Sequence, residues 1–202
     1  MAVVKFTKTA LKQERDALKQ FTRFLPTLQL KKQQLQLEMR HCLELIAQNE
    51  QKEAEMKESL ESWTYLFGDS DIVSRIRENL AVRQVIAGKK SIAGVVVPSY
   101  EDVDFSVKVY DIFWEDPWLD DALEAVKNIV KIQCERDIIR EQHRLIANEL
   151  RTTAQRVNLF EKVKIPATKE NIRRIQIYLG DMDTAAVGRS KIAKRKLQET
   201  AA

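Results

Sequence analysis

Apolar residues recur in an alternating step of three and four residues from Leu18 to Phe67. Twelve of the fifteen positions in this series are apolar, and the residues between them are mostly Lys, Glu, Gln and Arg. Such spacing is typical of a coiled-coil seam and predicts one long helix. An amphipathic helix packed on a globular core is the alternative, but an unbroken helix of this length does not fit inside a compact domain of 202 residues. The positions are Leu18, Phe21, Leu25, Leu28, Lys32, Leu35, Met39, Cys42, Ile46, Asn49, Glu53, Met56, Leu60, Trp63 and Phe67.

A second, less regular seam follows Glu115–Pro117, where an acidic residue followed by proline suits a helix start. Pro166 interrupts it, and the apolar pattern then resumes from Ile172 to Met182, about three turns. The pattern predicts a second long helix. Its positions are Ala125, Ile129, Ile132, Arg136, Ile139, His143, Ile146, Leu150, Thr153, Val157 and Phe160, then Ile172, Ile175, Leu179 and Met182.

The stretch between the two seams lacks the three-and-four spacing and has a different residue pattern. Residues 71–87 predict a shorter helix through the apolar positions Ile72, Ile76, Leu80 and Val85, four or five residues apart. Residues 92–97 and 104–110 are rich in β-branched and aromatic residues, and a Pro-containing segment at 98–102 joins them. We expect these two runs to form a β-hairpin outside the helix pair, with an irregular loop containing extended stretches as the alternative. The apolar face of such a hairpin needs cover, either from a partner or from a nearby helix.

A long helix, a small insert and a second long helix predict a mainly α fold, a long antiparallel two-helix coiled coil whose insert forms the turn. The expected divisions are residues 1–67, 68–115 and 116–202. Counting outward from Phe67 opposite Pro117 places Pro26 and Pro166 at heights that differ by only about 12 Å, so we expect a bend there. The same count leaves the end of the second helix extending beyond the first.

Composition supports long helices and argues against several other classes. Charged residues make up 32% of the chain, with only 5 Gly and 4 Pro. No apolar run approaches the ~20 residues that span a bilayer, and the first residues lack the pattern of a signal peptide. We therefore expect a cytoplasmic protein with no direct membrane insertion. Cys42 and Cys134 lack the spacing of a metal site and are expected to be small core residues.

Charge is divided along the chain although the net charge is only +4. Residues 1–40 carry a net charge of +6, residues 41–150 carry −9, and residues 151–197 carry +8. In an antiparallel hairpin, both basic segments lie at the end that holds the termini. The sequence therefore predicts one basic pole and one acidic pole.

Candidate chemistry is sparse, and we expect no catalytic, cofactor-binding or metal site. His41 and His143 fall at similar positions along the predicted helix pair. They are not grouped with the carboxylates or thiolates that would favour a metal centre. Neither a glycine-rich phosphate loop nor a Ser/His/Asp set is found. Asn49, Glu53 and Arg136 are polar positions on the two seams; either they form a buried polar layer that sets register, or they are solvated in a loosely packed seam.

The segment from Arg156 to Pro166 carries a resemblance to a known family. Its Arg-Val-Asn start, its Glu and its Ile-Pro end resemble the pattern of the D subunit in V-type and archaeal-type rotary ATPases. The segments 170–175, 191–197 and 94–98 are similar to the ending and the central hairpin of that family.

The resemblance implies a central-stalk component of a V-type ATP synthase or ATPase, a rotor shaft with no active site of its own. Its partners would be the catalytic A and B subunits of the ring, the small F subunit, and the membrane rotor through a linking subunit. It would be cytoplasmic and peripheral to the membrane, with no nucleic acid bound. Two alternatives remain at this point: a nucleic-acid-binding helical hairpin that uses the basic pole, and a tethering coiled coil.

Two sets of residues are predicted to contact partners. Basic residues near both termini are expected to face the catalytic ring, and alternating apolar residues of the insert are expected to face the F subunit. The first set is Lys5, Lys8, Lys12, Arg189, Lys191, Lys194, Arg195 and Lys196. The second set is Val95, Val97, Phe105 and Val107.

Overall fold

The computed structural model describes residues 5–60, 70–108 and 118–200. It confirms the predicted fold class, with long helices on either side of a short helix and a two-stranded antiparallel hairpin. Phe67, Tyr110 and Glu115–Pro117, where the seams or strands were expected to begin or end, lie outside the described residues. The elements are α1 (Lys8–Ser59), α2 (Ser70–Asn79), β1 (Leu80–Ile92), β2 (Val95–Val107), α3 (Leu119–Asn158), a π-helical segment (Leu159–Lys164) and α4 (Ile165–Thr200).

The chain forms two compact units, and the long helices α1 and α3 contribute to both. The terminal unit contains residues 1–32 and 152–202. The central unit contains residues 33–151, with α2 and the hairpin. In each unit a part of α1 pairs with a later helical segment.

The predicted seams are the buried faces of the long helices. From Leu18 to Leu60, every predicted seam position of α1 is at least half-buried, while most residues between them are exposed. The second seam is likewise at least half-buried from Ala125 to Leu179, and only its last position, Met182, is exposed. This agreement follows from the spacing, because a step of three and four keeps one face of each helix toward its partner.

The start of α1 has a side-chain cap. The Thr7 hydroxyl accepts a hydrogen bond from the Ala10 backbone N–H at 3.1 Å. This bond satisfies one of the backbone donors that the first turn of a helix leaves unpaired. The helix therefore begins at Lys8, well before the first residue of the predicted seam.

Aromatic pairs fix the antiparallel register of the terminal unit. The rings of Phe21 and Phe160 lie 5.3 Å apart, and those of Phe6 and Tyr178 lie 5.0 Å apart. Phe6, the earlier residue on the α1 side, contacts Tyr178, the later residue of the partner helix, and Phe21 contacts Phe160, so the two helices run antiparallel. The register counted from the sequence agrees with both pairs to within one heptad.

A π-helical turn at Leu159–Lys164 explains the interruption of the second seam. There the backbone N–H of Ile165 donates to the carbonyl of Phe160, five residues earlier. Such a turn inserts one residue, so the buried positions after it fall one place later than an unbroken count predicts. Thr168 and Ile175 are accordingly the buried residues. Pro166 follows directly within the same continuous helical run, next to the irregular hydrogen bonding of the π-helical turn.

The insert departs from the sequence prediction in two places. The short helix ends at Asn79, whereas residues 80–87 were predicted to continue it and instead begin β1. The hairpin turn was predicted at 98–102, but it lies at Ala93 and Gly94, both with positive φ, as in a type I′ turn. Pairing across β2 and the β-branched content of residues 82–86 outweigh the weak helical spacing.

The hairpin packs directly on the helices of the central unit. Ile92 and Val97 join one buried cluster with α1 and α3 residues, including Leu35 and Ile146. A second cluster packs α2 against the start of α3 through Ile76 and its neighbours. The expectation that the hairpin lies outside the helix pair is therefore wrong: nearby helices cover its apolar face, which is part of the core.

Candidate functional site: the terminal basic residues and the hairpin

The predicted ring-contact lysines of the first helix lie beside the middle of α4. Phe6 packs against Tyr178, so Lys5, Lys8 and Lys12 are level with residues from about 172 to 179 on the partner helix. All three belong to the terminal unit. All three are exposed.

The five predicted basic residues near the carboxyl end lie further along α4. Arg189 is eleven residues beyond Tyr178, about 16 Å along a helix. The structure therefore does not gather the two basic groups at one height: one group flanks the paired helices and the other lies beyond them. Arg195 also forms an ion pair with Glu199 at 3.4 Å, which partly neutralises its charge within its own helix.

The last part of α4 is a helix without cover from the described part of this chain. Every residue from 181 to 199 is exposed except Gly188, which is half-buried. An apolar stripe of four side chains, interrupted by Arg189, nevertheless lies along one face of it at helical spacing. Basic side chains such as Lys191 and Lys194 lie on other faces. A helix with an apolar stripe and a basic remainder is suited to a partner that covers it. The stripe consists of Met182, Ala186, Ala193 and Leu197.

The hairpin residues predicted to contact a partner lie on both sides of a register shift in β2, so Val95 and Val97 share one face of the sheet and Phe105 and Val107 share the other. The face that carries Val97 is turned toward this chain's own helices. Val97 is only 1% exposed, Val95 and Phe105 are half-buried, and Val107, at the end of the strand, is exposed. The Gln142 amide donates to the Pro98 carbonyl at 2.6 Å, which holds this part of β2 along α3.

The outer face of the hairpin carries exposed apolar residues that the sequence analysis did not select. Val96 is 63% exposed although both of its neighbours point inward. Val82 and Val85 on β1 are exposed on this face too, whereas Ile86 is exposed on the opposite face. The alternation of valines showed that two faces exist, but β-branched residues stand on both, so it did not tell which face the helices cover.

A buried polar cluster connects α1 and α3 in the central unit. Glu53 is only 6% exposed and accepts hydrogen bonds from Arg136 and, at 2.9 Å, from Gln133. Lys57 lies 2.7 Å from the same carboxylate. Asn49, one turn earlier, is also buried. The alternative of a buried polar layer is thus the one that the structure supports.

This cluster keeps Glu53 ionised. Hydrogen bonds from Lys57 and Gln133, with the charge of Arg136 nearby, lower the pKa of Glu53 to about 2 despite burial. Asn49 Nδ2 and Arg136 Nε are buried and have no hydrogen-bond partner among the residues described. Buried polar groups of this kind fix register at a cost in stability.

The remaining candidate groups behave as small or surface residues. Cys42 is buried, and burial raises the pKa of its thiol; Cys134 is half-buried, and its pKa is raised for the same reason. His41 is exposed and lies 4.0 Å from Glu44. Within residues 5–60, 70–108 and 118–200, no cluster of His, Cys, Asp or Glu has the composition of a metal site. Across the same ranges, no helix combines the length and the hydrophobicity that crossing a bilayer requires.

Comparisons with known proteins agree over nearly the whole chain. The D subunit of the V-type ATP synthase of Borreliella burgdorferi is 40% identical over 197 residues, covering 98% of this chain and 96% of the relative. The proteins of the same name from Chlamydia felis and Chlamydia trachomatis are 32% and 31% identical over 196 residues; each alignment covers 97% of this chain, and 94% and 97% of the respective relative. The profile of the ATP synthase D subunit family matches residues 10–195, and the chain belongs to that family.

Proposed function

We propose that this chain is the central-stalk component of a V-type ATP synthase or ATPase and transmits torque between the ion-driven membrane rotor and the catalytic ring. Family membership supports a role in ATP synthesis and ion transport. It favours this role over a nucleic-acid-binding hairpin or a tethering coiled coil. In this proposal the chain catalyses no reaction, and ATP is bound and converted by the A and B subunits.

The observation that carries the proposal is the uncovered end of α4. Residues 181–199 present an apolar stripe and several basic side chains, among them Arg189 and Lys191, without cover from described residues of this chain. A helix of this kind fits a ring that surrounds it and buries the stripe. Buried seam layers elsewhere in the helix pairs contribute about 1.5–3 kcal/mol each, which supports a part that resists separation under load.

Two further contacts complete the proposed assembly. The outer face of the hairpin, with Val82, Val85 and Val96 exposed, is the surface we assign to the F subunit. A linking subunit would join the central unit to the membrane rotor. The complex would be peripheral to the membrane on its cytoplasmic side.

The test uses a variant in which Arg189, Lys191, Lys194, Arg195 and Lys196 are all changed to Gln. Helix content should be retained, because Gln forms helix nearly as well as Lys or Arg. We expect weaker binding to the isolated A–B ring, most clearly at low salt, and a lower ratio of rotation steps to ATP hydrolysed. Single exposed ion pairs contribute only about 0–1 kcal/mol, so individual substitutions should have small effects.

The control changes the exposed Arg40 and Lys52 to Gln in the central unit. This control should bind the ring as the wild type does. Normal assembly and coupling of the five-residue variant would contradict the electrostatic part of the proposal. A wild-type chain that does not bind the ring at all would contradict the shaft role itself.

A further inference from the structure

A cavity of about 590 Å³ lies within the terminal unit, between α1 and the start of α4. Ala10 and Ala17 line it on α1, and Ala167 lines it on α4. Elsewhere the seam is filled by larger side chains such as Leu28, whereas methyl groups here leave space between the helices. Phe21 closes the lining on α1 and packs against the ring of Phe160. The volume lies within the range of roughly 300–1,000 Å³ that is usual for binding pockets.

The π-helical turn is the reason that the cavity exists. An unbroken count of the seam after Phe160 would place Lys164, Ala167 and Asn171 against α1. The extra residue of the turn moves Thr168 and the residues that follow it into the seam instead. Lys164, Ala167 and Asn171 are left at the edge, and all three line the cavity. A one-residue shift in the helix thus opens a cleft, and π-helical turns of this kind occur frequently at functional sites.

The polar groups of the cleft are already partly engaged with one another. The Asn171 amide donates to a carboxylate oxygen of Glu14 at 3.3 Å. The Thr168 hydroxyl donates to the Lys164 carbonyl at 2.8 Å. These bonds hold the wall of the cleft and leave its cationic side chains as the groups available to an occupant.

Two lysines give the cleft its charge. Lys5 and Lys164 both line it, and both are exposed. Neither forms an ion pair with any residue in the described part of the chain, and Glu14 is the single acidic residue in the described lining. The cleft therefore combines an apolar floor with an excess of positive charge at its rim. A carboxylate next to an apolar side chain complements both features.

We propose that the cleft receives a segment of the A–B ring in which an Asp or Glu stands beside an apolar side chain. The carboxylate pairs with Lys164, and the apolar side chain rests on Ala17 and Ala167, while Lys5 adds positive charge at the other end of the cleft. This inference rests on the proposed shaft function and adds a shaped contact to it. The contact fixes the shaft at a defined height in the ring, which diffuse attraction to the basic end does not do.

The first test fills the cleft. Ala167→Leu should weaken binding to the isolated A–B ring by about tenfold or more, because the added side chain occupies the space of the incoming segment. Ala47→Leu makes the same change on an exposed position of α1 outside the cleft and should leave binding unchanged. Far-UV circular dichroism and thermal unfolding of both variants establish that the helices remain folded.

The second test removes the charge. The double variant Lys5→Gln with Lys164→Gln should lower ring affinity by about tenfold at low salt and by less at high salt. Lys162→Gln, on the same π-helical segment but outside the cleft, is the matched control. A photoactivatable residue placed at Gln13, which lines the cleft, should cross-link to a ring peptide that contains Asp or Glu beside an apolar residue.

The outcomes separate this inference from the proposed function. If the wild-type chain binds the ring while Ala167→Leu and the double lysine variant bind equally well, the cleft is not a contact and the inference is overturned, although the shaft role stands. A cross-linked peptide without a carboxylate overturns it as well. If the wild-type chain fails to bind the ring, the proposed function fails first.

Discussion

The central and terminal units both contain a pair of antiparallel helices, but the two seams are filled and covered to different extents. In the central unit the seam is filled by Leu35, Ile139 and Ile146, a hairpin covers it, and Glu53 is bonded within it. In the terminal unit the seam contains a cleft, and the end of α4 has no cover from the described chain. The first unit buries its helix seam within one chain. The second leaves apolar and basic surface for a partner, so packing defects in the two units should have different consequences.

The largest effect is expected from Glu53 in the central unit. Glu53→Ala leaves Arg136 buried without its carboxylate and should lower the free energy of unfolding by about 3 kcal/mol. Glu14→Ala in the terminal unit removes only the bond to Asn171 and should cost no more than about 1 kcal/mol. Urea unfolding followed by circular dichroism measures both. Equal losses would remove the distinction between the units.

The pH dependence of the free energy of unfolding tests the role of Glu53 further. The pKa of Glu53 falls from 4.5 to about 2 on folding, so its contribution is complete above pH 4.5 and is lost as the pH falls toward 2. Wild-type stability should therefore decline more steeply than that of Glu53→Gln between those two values. Parallel curves would show that the carboxylate is not held in the folded protein.

The two faces of β2 offer a smaller contrast. Val97→Ala should lower the free energy of unfolding by about 2 kcal/mol, because that side chain is buried against α1 and α3. Val96→Ala, on the exposed face, should change it by less than about 0.5 kcal/mol while weakening binding of the F subunit. Calorimetry of the chain and a binding titration with the purified F subunit give the two readouts. A large loss of stability in Val96→Ala would mean that the outer face is covered within the chain.

The hairpin turn should give the smallest effect, and one of opposite sign. Ala93 has φ 49°, a left-handed conformation that disfavours Ala, so Ala93→Asn should stabilise the protein by about 1 kcal/mol. Gly94→Ala, at φ 79°, should destabilise it. If thermal unfolding of the central unit does not respond to either change, the hairpin unfolds separately and is not part of the closed unit.

Much of the helical structure could be predicted because coiled-coil packing depends on local spacing. The three-and-four step from Leu18 to Leu60 identified the buried face of α1 without knowledge of its partner. The interruption of the second seam was visible too, because a proline stands at position 166. Its form as a π-helical turn was not predicted, because a single inserted residue has no strong sequence signature.

What the sequence did not determine depends on contacts between distant residues. Residues 80–87 have apolar spacing compatible with a helix, and only pairing with β2 makes them a strand. Val96 and Val97 are the same residue type, and only packing against α1 and α3 decides which one is buried. The polar seam residues Glu53 and Arg136 are satisfied only when both helices are in register. The sequence alone determined the helices and their seams, because these follow from periodicity, whereas the tertiary structure decided the hairpin's orientation and the cleft, because these follow from which surfaces meet.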